Sequence, residues 1–461
     1  MHCYKIVQIL RKKPVGEKII VQGWVRTVRH SKSVSFIDIN DGSCLSNLQV
    51  IAGDNFTDKE GDLKGLSTGC SLRVTGTLTD SPAKGQDIEL QAETVEILGF
   101  APDYPLQKKR HSFEFLREIA HLRPRTNSMG AIARIRSALA YAVHTFFKER
   151  GFFYIHTPII SSSDCEGAGE TFTVTTLDIQ SLSKQSGSGS PWAQDFFGCQ
   201  AKLTVSGQLE AEAYAMALGN VYTFGPTFRA ENSHTSRHLA EFWMIEPEMA
   251  FCSLQEDIDI AEQFIKYLVD SLLNDCVEDL ELFASFIDKT LFHRLRNVSE
   301  QTFVRLTYSD AIKELQNSGH SFNFPVSWGM DLQSEHERFL TEEIFGRPVV
   351  LTNYPKTIKP FYMRVNEDRK TVAAMDVLFP GIGEIIGGSQ REERLDNLIA
   401  RMNELNMNAG DYEWYIDLRR YGTVPHAGFG LGFERMVQFV TGMKNIRDVI
   451  PFPRTPGSIS F

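Results

Sequence analysis

The spacing of apolar residues changes along the chain, and this change constrains the fold more than any single motif. Residues 17–98 contain five short segments in which apolar and polar side chains alternate at period two, separated by Gly, Asn, Asp and Ser-Pro breaks. Such alternation is typical of strands with one buried face. Five short strands in one compact stretch predict a small closed barrel, and the five-stranded OB-fold is the leading candidate.

A helical period follows. Ile132, Ile135, Leu139 and Val143 are spaced as on one face of a helix, and Gly151 is placed to end it. The rest of the chain mixes strands with long amphipathic helices at 254–275 and 391–407, without the regular crossover helices of a parallel sheet. This order favours an antiparallel sheet flanked by helices, in the α+β class.

Three regions are expected from this pattern. Residues 1–100 should form the barrel domain, and residues 101–127, with three prolines and a basic run, should form a linker. Residues 128–461 should form the larger α+β domain.

Composition sets the class of protein. The chain has 461 residues, 42% of them hydrophobic and 23% charged, with a net charge of −10, so it is globular and a nucleic-acid site would need a local basic patch. Its seven cysteines are scattered and form no C-x-x-C pair, which indicates a reducing cytoplasm. With no signal peptide and no apolar run of membrane-spanning length, we expect no membrane association.

The segment FRAENSHTSRHLAEFWMIEPEMA, residues 228–250, carries charges that a purely structural strand would not need. Arg229 and Glu231 lie two apart and share a face if the strand stays extended; Phe242 and Glu246 share a face in the same way. An arginine fork binds phosphate or carboxylate, and an aromatic ring can stack on a purine. The pattern indicates a polyanionic ligand, although surface salt bridges would also explain the charges.

The segment AGFGLGFERMVQF, residues 427–439, has Gly428, Gly430 and Gly432 at alternate positions before Arg435. Glycine at this spacing leaves one face of a strand open to close approach. The spacing fits neither a Walker loop nor a dinucleotide-binding fingerprint.

Taken together, F-R-x-E, R-H-x-x-x-F and G-x-G-x-G-x-E-R resemble motifs two and three of the class II aminoacyl-tRNA synthetases. YIHTPII, residues 154–160, resembles motif one, whose proline lies at the dimer interface in that family; here it is Pro158. The barrel resembles the anticodon-binding OB-fold of the aspartate, asparagine and lysine subgroup. The resemblance covers nearly the whole chain, and within the subgroup it is to members that charge tRNA with asparagine.

The resemblance implies a homodimeric ligase that activates an amino acid with ATP and Mg²⁺ and transfers it to tRNA. Arg229 would hold the ATP α-phosphate and the amino-acid carboxylate. Glu231 would face the adenine or ribose side of ATP, and His238 the γ-phosphate. Phe242 would stack on one face of the adenine, and Arg435 would cover the other.

The same resemblance implies the magnesium ligands. Asp376 and Glu384, in AAMDVLFPGIGEI, match the two carboxylates that hold Mg²⁺ on the ATP phosphates, and Glu384 and Gly432 also belong to the implied ATP site. Magnesium takes one or two protein carboxylates together with phosphate oxygens, so the number fits. Considered without the resemblance, either carboxylate could be an ordinary solvated side chain.

Several residues are implied for the amino acid. Glu166, in SSDCEGAGETF, corresponds to the lid carboxylate that binds the substrate ammonium. Gln208 matches a substrate-binding glutamine, or is simply a polar residue at the start of a helix. Arg391 corresponds to the arginine that donates to the substrate side chain throughout the subgroup.

The choice of substrate depends on polarity. An aspartate enzyme adds a lysine three residues after the glutamine, where this chain has Ala211. Glu246 offers an acceptor for an amide NH₂ and would repel a second carboxylate. We therefore expect L-asparagine and tRNA(Asn) as substrates; the alternative is an aspartyl-tRNA synthetase, including one that charges both tRNAs.

For the barrel, the resemblance implies that Phe36 stacks on the central anticodon base, with Arg29 and Gln49 as polar partners. Phe36 could instead belong to the barrel core. A non-catalytic OB-fold RNA-binding protein would be expected to have lost the motif residues, and an asparagine-making paralogue would lack the barrel, yet both features are present.

Overall fold

The computed structural model consists of two compact units, Met1–Ile135 and Arg136–Phe461. The residues that it describes are 2–31, 34–53, 63–107, 109–163, 171–178, 190–233 and 235–461. The boundary between the units falls within helix α3, which is defined below.

The first unit is built around a closed barrel. Its helices and strands are β1 (His2–Cys3), α1 (Ile6–Lys12), β2 (Lys18–His30), β3 (Ser35–Asn40), β4 (Leu48–Ala52), β5 (Ser71–Asp80), β6 (Ile88–Gly99) and α2 (Phe113–Glu118). The strand order is β2-β3-β4-β6-β5, and β5 pairs again with β2, which closes a ring of five strands. The predicted five-stranded OB-fold is confirmed.

Alternation at period two forms the barrel core. On β5, Leu72, Val74 and Leu78 are fully buried while their neighbours are partly exposed. Gly76 occupies the remaining inward position, where a Cβ atom would lie 2.2 Å from the carbonyl oxygen of Gln91. Each fully buried Leu or Val stabilises the unit by about 1.5–3 kcal/mol.

Helix α3 spans Asn127–Glu149. The strands that follow it are β7 (Phe153–Tyr154), β8 (Ile160–Ser161), β9 (Thr173–Val174), β10 (Ala201–Leu203), β11 (Asn220–Phe228), β12 (Glu241–Ala250), β13 (Val304–Thr307), β14 (Val349–Pro355), β15 (Thr371–Phe379), β16 (Gly383–Gln390) and β17 (His426–Gly432). The helices that follow α3 are α4 (Gln208–Leu218), α5 (Leu254–Asp275), α6 (Val277–Phe286), α7 (Leu291–Glu300), α8 (Tyr308–Asn317), α9 (Ser334–Arg338), α10 (Leu395–Glu404), α11 (Glu413–Arg420) and α12 (Phe433–Thr441).

An eight-stranded sheet organises the second unit, in the order β13-β14-β15-β16-β17-β12-β11-β7. The six central strands are antiparallel, as predicted, while β13 and β7 pair in parallel at the two edges. Helix α5 packs on β15, β16 and β17. The α+β class is thus confirmed, with a sheet that is mixed at its edges.

Helix α5 illustrates how local sequence sets an element. The Ser253 hydroxyl accepts from the backbone N–H of Glu256, and the Glu256 carboxylate accepts from the backbone N–H of Ser253. This capping box fixes the start of the helix. No helix in the described part of the chain is both long and apolar enough to cross a membrane.

Candidate active site

A cavity of about 300 Å³ opens over strands β12, β16 and β17. Its lining includes these residues implied by the sequence: Gln208, Arg229, Glu246, Asp376, Glu384 and Arg391. They come from four separate elements and from the segments after β11 and β16, so the sheet brings together side chains far apart in the chain.

Glu246 lies on β12 and is almost fully buried. Its carboxylate accepts from the Ser206 hydroxyl, from the backbone N–H of Gly207 at 3.0 Å and from the Thr223 hydroxyl at 2.9 Å. These three donors are all neutral groups, and they hold the carboxylate in place on the cavity wall.

Arg391 follows β16 and is also buried. Its Nε and Nη2 atoms both donate to the carboxylate of Glu248, and Nη1 donates to the Ser389 hydroxyl at 2.8 Å. Burial alone would lower the pKa of Arg391, but the Glu248 carboxylate outweighs burial and raises the pKa. The charge of Arg391 is therefore balanced before any ligand enters.

Gln208 is the first residue of α4 and also lines the cavity. It can therefore be both a polar residue at the start of a helix and a residue that binds the substrate. Its amide nitrogen donates to Glu212, one helical turn further, at 3.1 Å. Ala211, on the same helix, is fully buried and brings no cation.

Arg229 and Glu231 lie just beyond β11, which ends at Phe228, so they do not share a strand face. The Arg229 guanidinium lies over the ring of Phe242, with Cζ 5.4 Å from the ring centroid. The aromatic platform and the arginine fork are thus adjacent across the β11–β12 pair.

His238 lies among charged side chains. Its Nε2 is 4.0 Å from the Glu231 carboxylate, while Nδ1 lies within hydrogen-bonding distance of the Ser233 and Thr235 hydroxyls. Burial, together with nearby Arg435 and other arginines, lowers the pKa of His238 although Glu231 opposes the shift. An anionic ligand would relieve this concentration of positive charge.

Arg435 is the third residue of α12, directly after the glycine strand β17. Its Nη1 donates to the Glu384 carbonyl oxygen at 2.9 Å and is 3.9 Å from the Glu384 carboxylate. A Cβ atom at Gly432 would lie 3.7 Å from the Arg435 side chain. Gly432 therefore leaves one side of the Arg435 side chain open.

The other two glycines of β17 have different functions. A Cβ atom at Gly428 would lie 2.3 Å from the carbonyl oxygen of Pro247 and 2.5 Å from the Glu248 carboxylate, so this glycine makes room for Glu248. Gly430 lines the cavity. Only part of the glycine pattern thus serves the open face that the sequence predicts.

Asp376 on β15 and Glu384 on β16 face one small space above Gly387. A Cβ atom built there would lie 3.1 Å from Glu384 Oε1 and 3.6 Å from Asp376 Oδ1. Lys359 Nζ donates to Asp376 at 2.8 Å. Burial raises the pKa of Asp376 against the influence of Lys359. Two carboxylates that converge on a glycine cradle are a donor set suited to Mg²⁺.

The barrel brings the three anticodon candidates onto one outer surface. Arg29 and Phe36 are cross-strand neighbours, and the Arg29 Cζ lies 5.6 Å from the Phe36 ring centroid. Gln49 pairs with Asp38, two residues beyond Phe36. Phe36 is partly exposed while Ile37 and Ile39 are buried, so Phe36 does not belong to the barrel core.

Pro158 is exposed, between the edge strand β7 and β8. Large apolar side chains beside it are also exposed: Phe153, Tyr154, Ile159 and Ile160. Glu166 lies outside the described residues.

Four site residues escaped the sequence reasoning. All four side chains are at least partly buried, and each one contacts a predicted site residue or interacts with one electrostatically. They are Glu248, Glu212, Lys359 and Glu337. Burial, with Glu384 and Asp376, raises the pKa of Glu337 to about 7. Of these four residues, only Glu248 could have been found from the sequence, because it lies two residues after Glu246 and so shares its strand face.

Comparison with known families covers both units. Residues 112–456 match the family model for class II tRNA synthetases (D, K and N), and residues 19–98 match that for the OB-fold nucleic acid binding domain. Among solved structures, asparaginyl-tRNA synthetase from Pyrococcus horikoshii complexed with asparaginyl-adenylate is similar with a TM-score of 0.87 at 34% identity, over 100% of this chain and 99% of that chain.

Curated relatives are similar over their full lengths. The asparagine–tRNA ligase of Microcystis aeruginosa is 60% identical over 458 residues, which cover 99% of each chain. That of Synechocystis is 60% identical over 463 residues, which cover 100% of each chain. The chain therefore belongs to the class II tRNA synthetases for aspartate, lysine and asparagine and, within them, to the family of asparagine–tRNA ligases.

Proposed function

We propose that this chain joins L-asparagine to tRNA(Asn) in two steps. Asparagine and ATP first give asparaginyl-adenylate and pyrophosphate, and tRNA then takes the asparaginyl group. The observation that carries the proposal is that one cavity is lined both by Gln208, Glu246 and Arg391, proposed for the amino acid, and by Arg229, Asp376 and Glu384, proposed for ATP. Amino acid and ATP phosphates would therefore meet in one place.

Electrostatics favours asparagine over aspartate. Arg391 is paired with Glu248, whereas the donors to the Glu246 carboxylate are neutral groups. A substrate carboxylate would meet a net negative surface, but an amide can donate to Glu246 and accept from Arg391. Because buried Ala211 adds no cation, the aspartyl alternative lacks a balancing charge.

Activation needs no covalent enzyme intermediate. The asparagine carboxylate attacks the α-phosphorus in line and forms the new P–O bond; the bond from phosphorus to the bridging oxygen breaks, and pyrophosphate leaves with the electron pair of that bond. Arg229 would orient the carboxylate and the α-phosphate, and His238 and Arg435 would meet the other phosphates and the adenine. Glu231 and Phe242 complete the nucleotide side. Fixed cations aimed at developing charge are the main source of catalysis in such reactions.

Asp376 and Glu384 would hold Mg²⁺ on the phosphates. When bound, this ion offsets the negative charge of the phosphates and of the departing pyrophosphate. Lys359 Nζ donates to Asp376 Oδ2, and Asp376 Oδ1 faces the space above Gly387.

For the first unit, we propose anticodon recognition by Arg29, Phe36 and Gln49, within a domain of residues 1–100. Partial exposure of the Phe36 ring beside a guanidinium supports stacking of a base there. Residues 101–127 would link it to the catalytic domain of residues 128–461, in which Glu166 would bind the substrate ammonium.

The protein is further proposed to act as a homodimer in the cytoplasm. Exposed apolar side chains around Pro158 and the open edge of β7 support a subunit interface, because such patches mark interaction sites. No disulfide joins the six cysteines within the described residues, which is compatible with a reducing compartment. The mass from sedimentation equilibrium tests the dimer.

One assay tests the function. Purified protein is given radiolabelled pyrophosphate, Mg·ATP and either asparagine or aspartate, and label entering ATP is measured; tRNA(Asn) charging is measured in parallel. We expect exchange that depends on asparagine. Exchange that depends on aspartate instead would support the alternative, and exchange with neither would refute the activation step.

A further inference from the structure

Glu212 is a buried carboxylate on α4 that does not line the cavity. It accepts from the Gln208 amide at 3.1 Å, from the Tyr415 hydroxyl at 2.8 Å and from Arg419 Nη2 at 2.7 Å. His426 Nε2 lies 3.0 Å from the same carboxylate. One side chain therefore joins α4 to α11 and β17.

The same group of residues also fixes Arg391. Arg419 Nε donates to the carbonyl oxygen of Glu392, and the Arg391 backbone N–H donates to the carbonyl oxygen of His426 at 2.8 Å. Glu212 Oε1 is 4.0 Å from Arg391 Nε. Glu212 therefore contacts Gln208 directly and lies beside Arg391, the two residues proposed to bind the amino acid.

Charge explains why a carboxylate occupies this position. Burial alone would raise the pKa of Glu212, but Arg419 and His426 outweigh burial and lower it, so the group is ionised. An ionised carboxylate offers about four acceptor positions, enough for the donors that converge on it. An amide at this position would present N–H to Arg419 or His426 and could not satisfy the same set.

We infer that Glu212 is a positioning residue for asparagine, which acts by orienting Gln208 and Arg391 without contacting the substrate. The inference rests on the proposed function of the cavity. It extends the substrate site to a buried layer formed by Glu212, Tyr415 and Arg419. Small displacements of such a layer change binding strongly, because ligands must be held within a fraction of an ångström.

The test is the isosteric variant Glu212→Gln in asparagine-dependent pyrophosphate exchange. We expect the KM for asparagine to rise by at least about tenfold while the KM for ATP stays at the wild-type value. Glu262→Gln is the matched control, since Glu262 is a buried carboxylate paired with Lys266 and Arg305 outside the cavity. It should leave both KM values unchanged.

A double-mutant cycle separates positioning from general destabilisation. If Glu212 acts through Gln208, the effects of Glu212→Gln and Gln208→Ala on asparagine kcat/KM combine less than additively. Equal increases in both KM values, an unchanged KM for asparagine, or strict additivity would each overturn the inference. Wild-type protein without asparagine-dependent exchange would instead overturn the proposed function and this inference with it.

Should Glu212→Gln not fold, Tyr415→Phe carries the test. It keeps the buried ring and removes only the hydroxyl that donates to both oxygens of Glu212. The KM for asparagine should again rise selectively, by a smaller factor. If Tyr415→Phe had the wild-type KM for asparagine while Arg391→Ala still lost exchange, the positioning role of Glu212 would be refuted and the proposed function would stand.

Discussion

The guanidinium of Arg391 binds the carboxylate of Glu248 through two nitrogens, in a pair that is closed to solvent. A buried pair of this kind is costly to break, because the remaining partner keeps its charge without compensation. The residue that we assign to substrate recognition thus also supports the fold.

This pairing predicts that Arg391→Ala lowers the free energy of unfolding by about 3–5 kcal/mol and removes asparagine activation. The double variant Arg391→Met/Glu248→Gln has lost both charges, so its free energy of unfolding should be close to that of the wild type. Its asparagine activation should remain absent. Urea unfolding and pyrophosphate exchange measure the two effects. Full stability of the single variant would contradict the buried pair.

Arg229→Ala tests the phosphate contact. Loss of one charge clamp on a transition state commonly costs about a hundredfold to a thousandfold in rate, so adenylate formation should fall by that factor while circular dichroism stays unchanged. Arg305→Ala, at an arginine whose partners Asp259 and Glu262 lie outside the cavity, is the control. Near-normal exchange by Arg229→Ala would rule out the assigned contact.

The sequence predicts elements best where local signals define them. Helix α5 has the predicted bounds, Leu254–Asp275, because the capping box at Ser253 marks its start. The helix predicted at 391–407 is shorter, at Leu395–Glu404, because the backbone of Arg391 forms a β-bridge with Met363.

Strand β16 was not predicted at all. Its glycines have low strand propensity, and its pairing with β15 and β17 imposes the extended form. At Gly388 the absence of a side chain admits Met375 and Phe429, both distant in sequence. The contact between Glu212 and Arg419 was equally inaccessible, because it joins residues 207 positions apart.

The space between Asp376 and Glu384 lies above Gly387, and this predicts that a side chain added at Gly387 raises the Mg²⁺ concentration that the enzyme needs. Gly387→Ala would place a methyl group 3.1 Å from Glu384 Oε1, in the space assigned to Mg²⁺. The Mg²⁺ concentration for half-maximal exchange should rise by about tenfold. Gly225→Ala, on β11 with no atom within 4 Å of its added Cβ, is the control. An unchanged requirement would place the ion elsewhere.

Phe36→Ala should weaken the charging of tRNA without changing the activation of the amino acid. Stacking on one base is worth about 1–3 kcal/mol, so the KM for tRNA should rise roughly tenfold or more while exchange stays normal. Phe100→Ala removes an exposed phenylalanine just after β6 and should not alter charging. Normal charging by Phe36→Ala would remove Phe36 from the anticodon site.

Glu246 provides the sharpest test of amino-acid choice. In Glu246→Gln the amide oxygen must face the fixed N–H of Gly207, so the NH₂ group takes the place of Oε1 beside Ser206. The volume is kept, but the negative charge and one acceptor are lost. Asparagine and aspartate are nearly equal in size, so polarity must separate them.

We therefore expect Glu246→Gln to reduce kcat/KM for asparagine and to narrow the preference over aspartate by about tenfold or more, equivalent to about 1.4 kcal/mol. Ser206→Ala removes a donor to the same carboxylate and keeps its charge, so it should retain the preference. Exchange kinetics with each amino acid give both ratios. If Glu246→Gln kept the wild-type ratio, the repelling charge would have to be sought at Glu248, whose carboxylate lies two residues further along the same strand face.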